Sequence, residues 1–217
     1  MGEIRVKDLS CAYRNVTALK NINASFPQGS LTALIGSNGS GKSTLLGALA
    51  GTITPVSGSI SGLPKEIAFV PQRSHVPENL PISVWHTVSM GRWLSRRPWQ
   101  RLSASDRNII NSELERLGIS DLASRPLGEL SGGQRQRALI AQGLAQQAPL
   151  LLFDEPLSAI DADATLLIAK VIAEEKAAGK TIIIATHDVA QTRDADRTIT
   201  LERGEIKCQH KASESIM

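Results

Sequence analysis

Cysteine is scarce: Cys11 and Cys208 are the only two in 217 residues. They stand near opposite ends and match no metal-ligand spacing. That excludes a cysteine-framed zinc site and a disulfide scaffold, and it fits a reducing, cytosolic compartment. Cys208 and His210 read as part of a solvated tail, not as a ligand pair. Long apolar runs are missing too: none approaches the ~18 residues that cross a bilayer. The opening Met1-Gly2-Glu3-Ile4-Arg5-Val6 alternates like a strand and lacks the marks of a signal peptide. No charge of one sign dominates. Lys and Arg total 24 against 21 Asp and Glu, and the net charge of +3 is too small by itself to argue for a nucleic-acid partner. Aromatics make up 3%, with Tyr13 the single tyrosine. The remainder is ordinary. A chain that is 41% apolar and 21% charged builds one globular domain with a sizeable core and room for a subdomain.

The most informative stretch is Gly36-Ser37-Asn38-Gly39-Ser40-Gly41-Lys42-Ser43-Thr44. It fits the P-loop pattern G-x-x-x-x-G-K-[ST]. The apolar run 31–35 precedes it and the helix-favouring run 45–50 follows it, which is the strand–loop–helix context the pattern requires. A triphosphate packs several negative charges into a small volume. Glycines let successive backbone N–H groups turn inward around those charges, and the positive end of the following helix adds to the attraction. Lys42 is placed to reach the β- and γ-phosphates, and the Ser43 hydroxyl to ligate Mg²⁺.

Before this loop, residues 4–12 and 18–26 read as alternating strands about a polar turn at 14–17. They predict an antiparallel β layer. Tyr13 on that layer admits two readings, an aromatic face for an adenine ring or a partly buried strand-end residue. After the loop, 51–62 is turn-rich, with a short strand beginning at 58–60, and 67–70 is a short apolar strand ending at Pro71-Gln72. Gln72 is either a surface residue or a polar group reaching a ligand at a strand's carboxyl end.

From Ile82 to about Leu130 the character is helical. Val84, Val88 and Met90 are assigned to one face. Trp85, Trp93 and Trp99 fall here, with the basic cluster Arg92, Arg96, Arg97 and Arg101. That cluster is either a solvated face beside a small core or a surface for a partner protein, an anionic membrane or RNA. Ser103–Asp106 starts a helix carrying Ile109, Ile110, Leu114 and Leu117, stopped at Gly118; residues 121–125 form a further turn. Leu130-Ser131-Gly132-Gly133-Gln134 precedes a helix expected over 135–147 and reads as a second anion nest, about ninety residues after the first.

Residues 150–153 form a uniformly apolar strand, expected at the centre of a parallel sheet. It ends in Asp154-Glu155. Asp154 at such a strand end is placed to hold Mg²⁺, and Glu155 to act as a general base toward water. A helix over 161–178 with an Asp161 cap follows, then a strand at 181–185 ending in Thr186-His187, a third polar group at a strand's carboxyl end. Residues 188–192 start a short helix. A final hairpin (197–201 with 205–207) leads into a tail expected to be disordered from about His210.

Taken together, these motifs resemble the nucleotide-binding subunit of an ABC transporter over nearly the whole chain. The P-loop is residues 36–44, the signature is Leu130 to Gln134 unaltered, and the Walker-B strand ends at Asp154 and Glu155. Phe153 is a mild apolar variation. Ser158-Ala159-Ile160-Asp161 is similar to the D-loop, with Ile160 where leucine is commoner. The resemblance implies that Tyr13 stacks on adenine, that Gln72 is the Q-loop glutamine and that His187 is the switch histidine. Glu155, His187 and Gln72 are then catalytic. Ser43, Gln72 and Asp154 hold the Mg²⁺ of MgATP. Residues 36–44, Ser131 to Gln134 and Asp161 contact nucleotide.

The implied fold is α/β, a RecA-like P-loop NTPase core with an N-terminal antiparallel β layer and an inserted α-helical subdomain. Residues 1–72 and 146–210 make the catalytic lobe, 73–145 the helical subdomain with the signature, and 211–217 a tail without room for a C-terminal regulatory domain. Two subunits are expected to pack head to tail, so that each ATP is clamped by one chain's P-loop and the other's signature. The implied activity is ATP hydrolysis driving import. The expected partners are a second copy, membrane permease subunits facing the helical insertion, and an extracytoplasmic substrate-binding protein; nucleic acid is not expected. The chain would then work peripherally at the cytoplasmic face of the inner membrane. Residues 70–92 are similar to the zinc and manganese uptake branch, and the Arg- and Trp-rich stretch 92–101 to some zinc-uptake ATPases. Zinc is therefore the expected cargo, with manganese next; the alternatives are an importer of iron chelates or another small solute, or an ABC ATPase outside transport.

Overall fold

The computed structural model describes residues 2–13, 16–72, 81–95, 100–158, 160–188 and 192–211. Expectations at Arg14 and Asn15, at Arg96, Arg97 and Trp99, at Ala159, at 189–191 and at 212–217 lie outside these residues. The chain divides into two compact units. One comprises Met1–Pro71, Pro149–Glu155 and Lys176–Met217, the other Gln72–Ala148 and Pro156–Glu175.

The first unit holds two sheets. β1 (Ile4–Tyr13), β2 (Val16–Phe26) and β4 (Ser57–Ser61) form an antiparallel sheet in the order β2-β1-β4. Ile4 and Val6, and after a shift of phase Leu9 and Cys11, are buried in one core. Irregular pairing interrupts β1 near Asp8, where the backbone enters the left-handed region at φ 49°. The Asp8 N–H donates to Asn23 Oδ1, and Asn23 Nδ2 donates back to Asp8 Oδ1, each at 3.0 Å, which satisfies groups the ladder leaves open.

The second sheet has the order β5-β6-β7-β3-β8-β9. It comprises β3 (Leu31–Ile35), β5 (Ile67–Val70), β6 (Leu150–Asp154), β7 (Thr181–Thr186), β8 (Arg197–Glu202) and β9 (Glu205–Lys211). All its pairings are parallel except β8 with β9. β6 and β7 are buried at every position, as the unbroken apolar runs require. Helix α1 (Lys42–Leu49) packs on β6 and β7. Leu45, Leu46 and Leu49 join Phe26, Leu150 and Ile183 in one core. The expected tail is corrected here: His210 pairs with Thr198 and Lys211 with Arg197. β8 would otherwise present an open edge, and residues 208–211 close it with backbone hydrogen bonds that need no apolar side chains.

The second unit is built on α2 (Val84–Ser89), α3 (Ala104–Arg116) and α4 (Gly132–Ala145), with a 3-10 turn over Met90–Ser95 and most of α5 (Ala162–Ala177). Val84, Val88, Ile110, Leu114 and Leu139 are buried in it. α3 begins with a capping box: Ser103 Oγ accepts from the Asp106 N–H, and Asp106 Oδ2 accepts from the Ser103 N–H. Gly118, at φ 59°, ends the helical segment. Arg137 donates to the Leu117 and Gly118 carbonyls and so caps α3 from α4. Arg116 gathers Glu113, Glu174 and Glu175, tying α3 to α5. Among the described residues no helix is long and apolar enough to cross a membrane.

Arg92, from the basic cluster, turns inward. Its Nε donates to Asp106 Oδ1 at 3.1 Å and its Nη1 to the Ala145 carbonyl at 2.8 Å. The start of α3 is thereby fastened to the end of α4. Asp106 is 1% exposed, so removing Arg92 would take a counter-charge away from a buried carboxylate. Arg92→Met is expected to cost about 3 kcal/mol of stability, read by urea unfolding.

Candidate nucleotide site

Three neighbouring strands of the six-stranded sheet deliver the site in the first unit. Ile35 of β3 is level with Thr186 of β7, and Asp154 of β6 with Ala185 of β7. Gly36, Glu155 and His187 therefore leave one sheet edge side by side, at the carboxyl ends where open α/β sheets take ligands.

The loop after β3 turns on Gly39 (φ 78°) and Gly41 (φ 107°). Gly41 is the N-cap of α1 and supplies no side-chain hydrogen bond, so the first-turn N–H groups stay available. Lys42 is buried and its Nζ donates to the Gly36 carbonyl at 2.8 Å and the Ser37 carbonyl at 3.1 Å. Burial lowers its pKa, and the negative charges of Glu155 and Asp154 push it back up. Ser37, Asn38, Gly39 and Ser43 are exposed, while Ser40 and Thr44 are buried. Ser40 Oγ has no hydrogen-bond partner among the described residues. A Cβ at Gly36 would lie 2.5 Å from it.

Asp154 is 2% exposed. Glu155 takes a left-handed backbone, φ 49°, held by its N–H donating to the Ala185 carbonyl at 2.9 Å. Strain of this kind gathers at functional sites. Its Oε1 lies 3.2 Å from His187 Nδ1; the carboxylate side chain is 10% exposed and the imidazole 54%. Tyr13 closes β1 opposite Val16, and both side chains stand largely in solvent at 50% and 70% exposure. A buried cation aimed into a glycine loop, an exposed hydroxyl at Ser43 and a buried carboxylate at a strand end fit the donors and acceptors that MgATP needs.

Gln72, Ser131 to Gln134 and Asp161 belong to the second unit. Gln72 follows β5 after one intervening proline. The expected nest before a helix is corrected: α4 begins at Gly132, so Ser131 is its N-cap and Gly132, Gly133 and Gln134 form its first turn. Ser131 Oγ accepts from the Gln134 N–H, and Gln134 Oε1 accepts from the Ser131 N–H at 3.0 Å. The Gly132 and Gly133 N–H groups are left among the donors a helix start cannot pair itself. The S-x-x-Q spacing was the signal for this box. Asp161 Oδ1 caps α5 through the Ala164 N–H, and its Oδ2 would lie 3.4 Å from a Cβ at Gly133. Gly204, in the turn between the two strands of the final hairpin, belongs to none of the sequence motifs, yet its N–H donates to the Ser40 carbonyl at 3.0 Å.

Residues 19–158 match the family described as ABC transporter. A "Probable metal transport system ATP-binding protein" of Chlamydia muridarum is 39% identical over 91% of this chain and 80% of its own length. A "Manganese transport system ATP-binding protein" of Synechocystis is 38% identical over 98% of this chain and 86% of its own. Among solved structures, an inward-facing "putative metal-chelate type ABC transporter" superposes with a TM-score of 0.87 at 30% identity, covering 100% of this chain and 86% of the other.

Because burial depresses Lys42, the unfolded chain holds that proton to higher pH than the folded one. Stability is then expected to rise as pH climbs from the depressed value toward the ordinary 10.5. Lys42→Met should lack this rise in denaturant titrations across that range. It should also bind ATP at least about ten-fold more weakly.

Proposed function

Since the chain belongs to the ABC transporter family, as an ATP-binding subunit that hydrolyses ATP, we propose that it is the motor of a metal-ion importer. The observation that carries the chemical part is the Glu155–His187 pair beside Lys42 at one sheet edge. Lys42 and the N–H groups of 36–44 bind the β- and γ-phosphates, and Tyr13 receives the adenine. Ser43, Asp154 and Gln72 are the residues that would hold Mg²⁺, which when bound neutralises phosphate oxygens. Glu155 accepts the proton of the attacking water as that water's oxygen bonds to the γ-phosphorus and the bond to the bridging oxygen breaks, releasing ADP. His187, hydrogen-bonded to Glu155, orients that carboxylate and faces the γ-phosphate.

ABC ATP-binding subunits dimerise and pair with membrane permeases. For this chain the proposed dimer is head to tail, with Ser131, Gly132, Gly133 and Gln134 of one copy completing the site of the other, and Asp161 near that junction. The N-terminal turn of α4, where the Gly132 and Gly133 N–H groups have no partner within the helix itself, supports a phosphate-facing role. The helical unit is proposed to face permease subunits at the cytoplasmic side of the membrane, with a substrate-binding protein outside.

The proposed cargo is a divalent transition-metal ion. Zinc loses its place as first candidate, because neither curated relative described above names it. Manganese, the named cargo of the Synechocystis relative, takes that place. A metal chelate is the second reading, favoured by the metal-chelate type neighbour.

Glu155→Gln is expected to bind ATP, to accumulate as an ATP-bound dimer in size-exclusion chromatography, and to hydrolyse at least about 100-fold more slowly. Normal turnover would remove Glu155 from the base role. Ser131→Arg should impair turnover while leaving ATP binding by the monomer intact. In source cells lacking the chain and grown at limiting metal, total metal content should fall in manganese and recover with wild type but not with Glu155→Gln. A deficit of zinc or iron would keep the motor and change the cargo; no deficit in any metal would reject metal import.

A further inference from the structure

The underside of the loop 36–41 rests on the turn that joins β8 to β9. The Gly204 N–H donates to the Ser40 carbonyl at 3.0 Å, and the Lys20 N–H donates to the Gly204 carbonyl at 2.8 Å. A single glycine thus bridges β2 and the loop. The packing leaves no room for side chains. A Cβ at Gly204 would lie 2.5 Å from the Ala18 carbonyl oxygen. One at Gly41 would lie 2.6 Å from Leu19 Cδ2 and 3.0 Å from the Ala18 oxygen, and one at Gly36 2.4 Å from the Leu201 carbonyl oxygen. Gly204 has φ 80° and its neighbour Arg203 φ 49°, the successive left-handed residues that a tight hairpin turn requires.

We infer that Gly204 is a positioning residue for phosphate binding: by holding the Ser40 carbonyl, it aims the Gly41 N–H. The Ser40–Gly41 peptide is trans, as are all peptide bonds among the described residues, so its C=O and N–H point in opposite directions from one rigid plane. With the carbonyl drawn down onto the hairpin, the Gly41 N–H faces the other side of the loop. A phosphate oxygen arriving there meets a donor whose direction is set before binding, and preorganised donors need no rearrangement at that moment. Only glycine meets both demands at position 204. The φ is left-handed, and the space a Cβ would fill is taken by backbone, which cannot rotate aside as a side-chain tip can. The inference rests on the proposed reading of 36–44 as the ATP site, and it adds a residue that no motif in the chain contains.

The test uses the full chain and NMR titrations of wild type, Gly204→Ala and Arg203→Gly with MgADP and with adenosine, which lacks phosphates. The expected result is that Gly204→Ala weakens MgADP about ten-fold or more with adenosine binding unchanged, and that its Gly41 amide loses the shift that MgADP induces in wild type. Arg203→Gly, a change in the same turn that keeps the Gly204 bond, should bind MgADP as wild type does. A folded Gly204→Ala that binds MgADP within about two-fold of wild type would overturn the inference, as would an equal loss in Arg203→Gly. Hydrogen exchange on wild type serves if the variant does not fold. The Gly204 amide should be protected and should slow further in saturating MgADP, whereas exchange at the rate of an open turn in both states overturns the proposal. Wild type that fails to bind MgADP at all would reject the nucleotide reading itself, an outcome separate from these.

Discussion

Parallel hydrogen bonding among β3, β7 and β6 is the constraint on which the first unit depends. Their registers bring Ile35, Thr186 and Asp154 to a common line within one residue. The next residue in each strand therefore emerges beside the other two. A slip of one residue in β6 or β7 would turn buried side chains to the opposite face. Both strands are buried along their entire length, so a slip would oblige two packed faces to accept side chains of other shapes. Chemistry at this edge follows from that lock: a glycine loop from β3, two carboxylates from β6 and an imidazole from β7 have nowhere else to go.

The electrostatic balance at the edge is tight. Lys42 is a buried cation facing two carboxylates, one 2% and the other 10% exposed. Its hydrogen bonds to the Gly36 and Ser37 carbonyls use two of the three ammonium donors, so a phosphate oxygen can accept the third without displacing either. Glu155 sits in a backbone conformation that costs about 1 kcal/mol or more, anchored through the Ala185 carbonyl. Its carboxylate direction is accordingly set by the main chain as much as by its own rotamer.

Elements that sit in a single environment were legible in the sequence. The apolar runs 31–35, 67–70, 150–153 and 181–185 all became strands, with ends moved by at most one residue, because burial on both faces writes itself directly into residue type. Other features left no such trace. The pairing of 208–211 depends on the open edge of β8, not on their own side chains. α4 starts at Gly132 because the Ser131–Gln134 box holds it, although glycine's weak helix propensity suggested a later start. A basic run reads as a surface, so Arg92's inward turn was visible only once Asp106 and the Ala145 carbonyl were in view. Positive φ at Glu155 has no signature in a glutamate. The zinc expectation came from local likeness in a segment, whereas the two relatives described above, which match over most of the chain, are named for metal and for manganese transport, neither for zinc.

The spread of aromatic residues gives the molecule a built-in pair of optical labels. Its one tyrosine closes β1 in the unit that carries the glycine loop, while Trp85 and Trp93 lie in the helical unit. Tyr13 is half-exposed and Trp93 more so, so both chromophores sense solvent directly. Ionisation of the phenol, read as phenolate absorbance, reports on one unit, and indole emission reports on the other. The two halves of the chain can thus be followed separately in solution without a dye or an added residue.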